Sequence, residues 1–396
     1  MKGTPRDWIA PWLGLATICA ACGGGGIVDP LTPIPQRVAP TDVEPVALRQ
    51  HWAVRFELDV DGDEEPDAPT RAPALGSEAV FVTYSTQMLA RDRDNGALLW
   101  QLHMSSEIML APIAVDDGVL IATEERWLWI DALGRIQSAL DLDTTPLDTA
   151  TIGRRIYVAD ANGVYALRLS AANVETSIVQ VWQTDLQGAG GLTASPPDER
   201  LFVVADDGRV HALSVRDGTV LWHSNSVEAG GPRPAVIEGT LFIVAADYRI
   251  VALNSDNGER RWRSKEVGVR ITGAPATSDD LVWVPGLDAA LHGYAIGGGS
   301  HRHRVPLAGR AYADLAVWGR WVLASPQAGP WTLVRAPLRS NGPADPGLPR
   351  VVNLAAESDL SLPPGVGPGG VAVVEASGTV RLFTPQRGPE PRVEDP

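Results

Sequence analysis

Three short stretches hold residues whose types and spacing could do chemistry. The first is DVDGDEEPD, residues 59–67, where Asp59, Asp61 and Asp63 alternate and Glu65 and Asp67 continue the series. A hard cation such as Ca2+ takes about 6–8 oxygen ligands, and a tight loop with an acid at every second position can wrap one. Without a metal these five carboxylates repel one another, so the competing reading is a solvated acidic loop. The second stretch is HGYAIGGGSHRHR, residues 292–304. On a strand, His301 and His303 would face the same way and could share a metal with His292. Arg302 and Arg304 interleave them and disfavour a cation, which makes a basic hairpin tip the rival reading. The third is the pair Cys19 and Cys22, the only cysteines of the chain.

Because everything after Cys22 lacks cysteine, the body of the protein has no disulfide framework, thiolate nucleophile or Cys-based zinc site. Gly-x-Ser-x-Gly, P-loop and His-Glu-x-x-His patterns do not occur. The expectation is a non-enzymatic protein with no cofactor other than Ca2+. The formal charge of −15 argues against a nucleic-acid partner, which would need a basic face.

The elements that must position these groups begin with a short apolar run behind Lys2 and Arg6. It is too short to span about 30 Å of hydrocarbon and has the anatomy of an export signal, expected over residues 1–21. Its end, CAAC, resembles a bacterial lipobox with Cys22 as the acceptor. That resemblance implies an exported outer-membrane lipoprotein facing the periplasm or the cell surface, held to the membrane through its lipid alone. Residues 22–50 are Gly- and then Pro-rich without periodicity, and read as a flexible tether with a reach of about 30 Å.

From residue 51 to 386 the chain is written in units of forty. A Gly six positions after an Ala, with a Trp four further on, occurs at Ala90-Gly96-Trp100, Ala212-Gly218-Trp222 and Ala252-Gly258-Trp262. Trp182 lies 40 residues before Trp222 and 82 after Trp100, so one unit between them has lost its Trp. Within a unit the pattern is β: TLFIV, a turn, IVALN, then an Asn-Gly or Asp-Gly turn and a further strand. Such self-similarity marks a repeat architecture of about four strands per unit. Openings near Pro73, Pro112, Leu147, Ala194, Pro234, Pro275, Ala313 and Val366 give about eight units, seven being the alternative count. The last copy lacks its fourth strand, which HWAVRFEL (residues 51–58) can supply. Residues 387–396 are expected to be a disordered tail.

The frame resembles the PQQ-type propeller repeat. The resemblance implies an all-β fold, a closed β-propeller of about eight four-stranded blades with the ring closed by the N-terminal strand. It also implies that Trp100, Trp182, Trp222 and Trp262 dock between adjacent blades. Lipobox, tether, length and blade count together resemble the propeller subunit of the outer-membrane β-barrel assembly machine. This second resemblance implies a scaffold of the cell envelope that binds protein partners. The 170s loop and residues 339–365, read as an insertion between the last two blades, are the expected contact regions. Two other functions stand beside this one: a surface-exposed, Ca2+-stabilised ligand-binding propeller, and a quinone-dependent oxidoreductase. The enzymes that share the repeat generally are longer, and many carry adjacent cysteines that this chain lacks.

Overall fold

Blade 5 shows how the sequence builds one unit. Its strands are Ala235–Ile237, Thr240–Val244, Ile250–Asn254 and Arg260–Arg263, paired antiparallel in that order. TLFIV is buried at every position, because both faces of this strand are covered by neighbouring blades. The outermost strand, RRWR, exposes all but its Trp. The turn before it closes through Gly258 N–H to Asn254 O at 2.9 Å, with Gly258 at φ +72°, a backbone conformation that glycine adopts at no steric cost.

The computed structural model describes residues 48–55, 69–116, 118–172, 175–224, 232–265, 269–336, 349–357, 362–367 and 369–385. These form eight four-stranded sheets and, among them, no helix. The blades span 74–103, 113–141, 146–185, 192–223, 235–263, 276–306 and 316–357. The eighth joins Gly365–Gly367, Gly370–Val374 and Thr379–Pro385 to the N-terminal strand Leu48–Arg55. Eight blades, rather than seven, therefore make the β-propeller, and the degenerate seventh unit is a complete sheet.

Eight apolar clusters hold the ring, each built from the facing sides of two neighbouring blades. Phe242, Val244 and Ala252 of blade 5 meet Val282, Val284 and Tyr294 of blade 6. The closing cluster joins Ala372, Val374, Leu382 and Trp52 of blade 8 to Leu75, Val80 and Leu89 of blade 1. A large apolar side chain contributes about 1.5–3 kcal/mol when buried. An exposed ion pair gives about 0–1 kcal/mol, so these seams dominate the many surface Arg–Asp pairs.

Three sequence expectations shift. The closing strand begins at Leu48, three residues inside the expected tether, with Trp52 opposite Leu382. The described part of residues 339–365 is not an insertion between blades. It supplies Arg350–Glu357, the outer strand of blade 7, with Val352 opposite Leu333; the flanking Pro- and Gly-rich composition masks the short apolar run. The described residues of the 170s are strand rather than loop, Gly163–Ala172 pairing with Glu175–Asp185 in blade 3.

Candidate functional site

Each of the four repeat tryptophans donates its indole N–H to a backbone carbonyl of the next blade. Trp100 reaches Ala132 O at 3.0 Å, Trp182 Val215 O at 3.4 Å, Trp222 Ser255 O at 3.0 Å and Trp262 Ile296 O at 2.7 Å. Trp52 makes the same bond across the ring closure, donating to Arg93 O at 2.7 Å. The glycine of the frame serves its neighbour rather than its own Trp: a Cβ on Gly258 would stand 2.6 Å from the ring of Trp222, and one on Gly299 2.5 Å from that of Trp262. The frame's Ala lies between two aromatics in register, Phe242 opposite Ala252 and Ala252 opposite Trp262. Its small side chain lets their rings approach to 5.7 Å.

Blades 2, 6 and 7 depart from this scheme, blade 7 having Leu333 and Val352 in register where blades 1, 3, 4 and 5 have Ala and Trp. In blade 2 Trp129 takes the Ala position and Ser138 the Trp position. Ser138 Oγ then accepts the N–H of Ile178 from the outer strand of blade 3 at 3.1 Å. In blade 6 the set is Trp283, Gly293 and His303, with the two rings stacked at 6.2 Å.

The outer strand of blade 6, His301–Pro306, corrects the expectation that His301 and His303 face the same way. Gly293 pairs with His303 but Tyr294 pairs with His301, so Arg302 is an extra residue. Such a bulge reverses the alternation: His303 lies on Trp283, while His301 meets Tyr294 and His292. His292 is buried at 4% exposure. Its Nδ1 is 3.1 Å from His301 Nε2, and its Nε2 is 3.1 Å from Asp288 Oδ1. Arg304 holds the other carboxylate oxygen at 2.8 Å. Although burial pushes the Asp288 carboxyl up, the hydrogen bond and charge of His292, together with Arg304, bring it below its ordinary range. Burial, then repulsion from His292, His303 and Arg304, lowers His301. Burial and Arg302 lower His303.

The mouth of the central channel holds a cluster that no sequence motif marks. Asp148, Arg233 and Asp314 each stand four residues before the end of their blade's innermost strand, which closes at Ile152, Ile237 and Trp318. Arg233 of blade 5 pairs with Asp148 of blade 3 at 2.5 Å and with Asp314 of blade 7 at 3.3 Å. Between Asp148 and Arg233, Gly191 of blade 4 lies so close to Arg233 that a Cβ would be 2.4 Å from its Cα. Asp148 also accepts the N–H of Leu192 at 2.8 Å. Burial raises its carboxyl above the ordinary range, against the opposing pull of Arg233 and two backbone N–H groups. Behind this clamp is a cavity of about 440 Å3, lined in part by Thr149, Thr151, Thr193, Thr277 and Val317. The signal available in sequence is the shared offset, legible only once the strand ends are fixed.

The rim divides in two. Leu98 and Leu99 of blade 1, Ile136 of blade 2, Val179 and Val181 of blade 3, and Val220 and Leu221 of blade 4 are 39–53% exposed on outer strands. Blade 5 has Arg260 and Arg261 at the places of Val220 and Leu221, and blade 6 carries His301 and Arg302 there. Cys22, the acidic series Asp59, Asp61, Asp63, Glu65 and Asp67, and the tail 387–396 lie outside the described residues. Among the described residues no helix is long and apolar enough to cross a membrane.

Comparison with known proteins agrees with this architecture. The family model described as outer membrane protein assembly factor BamB matches residues 170–320. The fold is similar to that of BamB from Moraxella catarrhalis, with a TM-score of 0.62 and 15% identity over 85% of this chain and 99% of that one. It is also similar to Sqt1 of Saccharomyces cerevisiae (TM-score 0.61, 12% identity, 81% and 98% covered). The computationally designed Ika8 protein matches as well (TM-score 0.58, 15% identity, 81% and 98% covered). No curated protein matches by sequence. The chain is thus an eight-bladed propeller whose fold is similar to that of BamB.

Proposed function

We propose that this propeller is a non-enzymatic scaffold of the cell envelope, tethered through a lipid on Cys22, that holds protein partners along the rim of blades 1–4 in outer-membrane protein assembly. The observation that carries the reading is the division of the rim. On blades 1–4 the outer strands expose pairs such as Leu98/Leu99 and Val220/Leu221, whereas blade 5 presents Arg260/Arg261 at the matching places. Exposed apolar side chains beside a free strand edge are a hazard in a monomer and an asset in an interface. A stable complex buries about 800 Å2 per partner, so the contact would have to span several adjacent blade edges. The bulge of each outer strand disfavours open-ended pairing with copies of itself, which leaves side-chain contact as the mode of recognition. The family match supports an envelope setting, and the lipobox supports the anchor.

The test is recovery of the tagged chain from gently solubilised membranes, with and without Leu98→Glu and Leu221→Glu. The expected result is co-recovery of an outer-membrane barrel-assembly protein, lost in the double variant while the thermal midpoint stays within about 2 °C, since these positions touch solvent. Recovery of the propeller alone would sink the assembly reading. Undiminished co-recovery by the double variant would sink the rim. Release of a Cys22→Ser chain into the soluble fraction tests the anchor.

A further inference from the structure

We propose that His292 and His301 form a binding site for a zinc-type divalent transition metal, at which Nδ1 of one imidazole and Nε2 of the other are the protein ligands. These two nitrogens face each other at 3.1 Å. Two nitrogens bound about 2.0–2.1 Å from one tetrahedral Zn2+ stand about 3.3 Å apart, so the spacing already matches a shared ion, and each ring has only to turn its lone pair toward a common point.

The surroundings have the form of a metal site's outer layer. Asp288 Oδ1 lies 3.1 Å from His292 Nε2 and fixes the tautomer that leaves Nδ1 free as a donor. Gly286 makes room for that pair: a Cβ there would stand 2.5 Å from Asp288 Oδ1 and 3.0 Å from His292 Nε2. Among the described residues no three His, Cys, Asp or Glu side chains converge as metal ligands, so the remaining positions fall to water. The Tyr294 hydroxyl is buried without a hydrogen-bond partner, on a ring whose centroid is 5.1 Å from that of His301. As i and i+2 of one strand, His292 and Tyr294 share a face. The arginines that disfavour a cation in the sequence are disposed otherwise in the fold. Arg304 is neutralised by Asp288 at 2.8 Å, and Arg302 is the exposed bulge residue. Imidazole ligands suit Zn2+, Cu2+ and Ni2+ rather than Ca2+.

The site has a structural use. Blade 6 carries His303 where blades 1, 3, 4, 5 and 8 carry a docking Trp. A metal between His292 and His301 would tie its outer strand to its third strand.

The experiment is calorimetric titration of the untagged full chain with ZnCl2, with Ca2+ and Mg2+ as comparison ions. One Zn2+ per chain is expected, with a rise in thermal midpoint that Ca2+ and Mg2+ do not give. His301→Ala should weaken binding at least tenfold, and Asp288→Asn about 10–100-fold as an outer-layer change. His303→Ala and His223→Ala should leave it within twofold, since His303 faces away and His223 belongs to blade 4. Co2+ absorption of the wild-type chain, read for tetrahedral nitrogen ligation, keeps the test independent of any variant's folding. Absence of Zn2+ binding, or binding undiminished by His301→Ala, would reduce the pair to an ordinary histidine–histidine hydrogen bond.

Discussion

Gly258 and Gly239 lie in the same blade with nearly the same backbone, φ +72° and +68°, yet alanine should cost far more at the first. In both places a left-handed backbone penalises an L-residue by about 1–2 kcal/mol. Alanine recovers about 0.4–1 kcal/mol of this by restricting the unfolded chain. The remainder, about 1 kcal/mol, is the whole expected loss at Gly239, where the nearest atom to an added Cβ is Ser255 Oγ at 3.7 Å. At Gly258 the Cβ would lie 2.6 Å from Cε3 and 2.7 Å from Cζ3 of Trp222. That indole cannot retreat: its Nε1 is held by Ser255 O at 3.0 Å, and Phe202 lies behind it at 5.9 Å. Overpacking of this kind adds about 1–3 kcal/mol, so Gly258→Ala should lose roughly 2–4 kcal/mol in all. The assay is urea unfolding, compared by midpoint at unchanged slope. Repeating Gly258→Ala in a Trp222→Ala background should shrink its increment to that of Gly239, because the clash has no partner left. Equal losses at the two glycines, or an increment at Gly258 that persists without the indole, would refute the docking argument.

Trp262→Phe keeps a ring against Gly299 but removes the 2.7 Å bond to Ile296 O. It should cost about 1 kcal/mol in the same assay, and a loss as large as that of Trp262→Ala would show that the N–H rather than the ring docks the blade. Arg233→Met leaves Asp148 partly buried opposite no cation. A buried pair broken on one side typically costs roughly 3–5 kcal/mol. Because the Arg233 side chain is 44% exposed, solvent screening should reduce this to about 1–3 kcal/mol at neutral pH. The sign with pH follows from the raised Asp148 carboxyl. A group whose folded value lies above its unfolded one favours the folded state below about pH 3.9 and loses that contribution as pH rises through the folded value. Without Arg233 the carboxyl rises further, so thermal midpoints of the two proteins should differ most at neutral pH and converge below about pH 4. A gap independent of pH would place the loss in packing.

Much of the fold is legible in the sequence because its signals are local. Alternating and fully apolar runs specify strands, and Asn-Gly and Asp-Gly fix the turns. The forty-residue echo from Trp222 to Trp262 exposes the repeat, since each unit repeats the same short-range instructions. The closing N-terminal strand follows from that grammar, and the docking of the tryptophans from its resemblance to the propeller repeat. Blade 7 is harder to read: its outer strand, Arg350–Glu357, sits in a stretch whose composition argues for loop.

What the tertiary structure alone decided are the relations between units. That Gly258 answers to Trp222, and not to the Trp262 of its own frame, depends on how one blade leans on the next. One extra residue at Arg302 turns His301 and His303 to opposite faces, and strand periodicity counted along the sequence does not register such a bulge. The clamp of Arg233 on Asp148 joins residues 85 apart. No local propensity brings them together. They meet because eight blades close a ring of fixed circumference, and closure sets which innermost positions share its mouth.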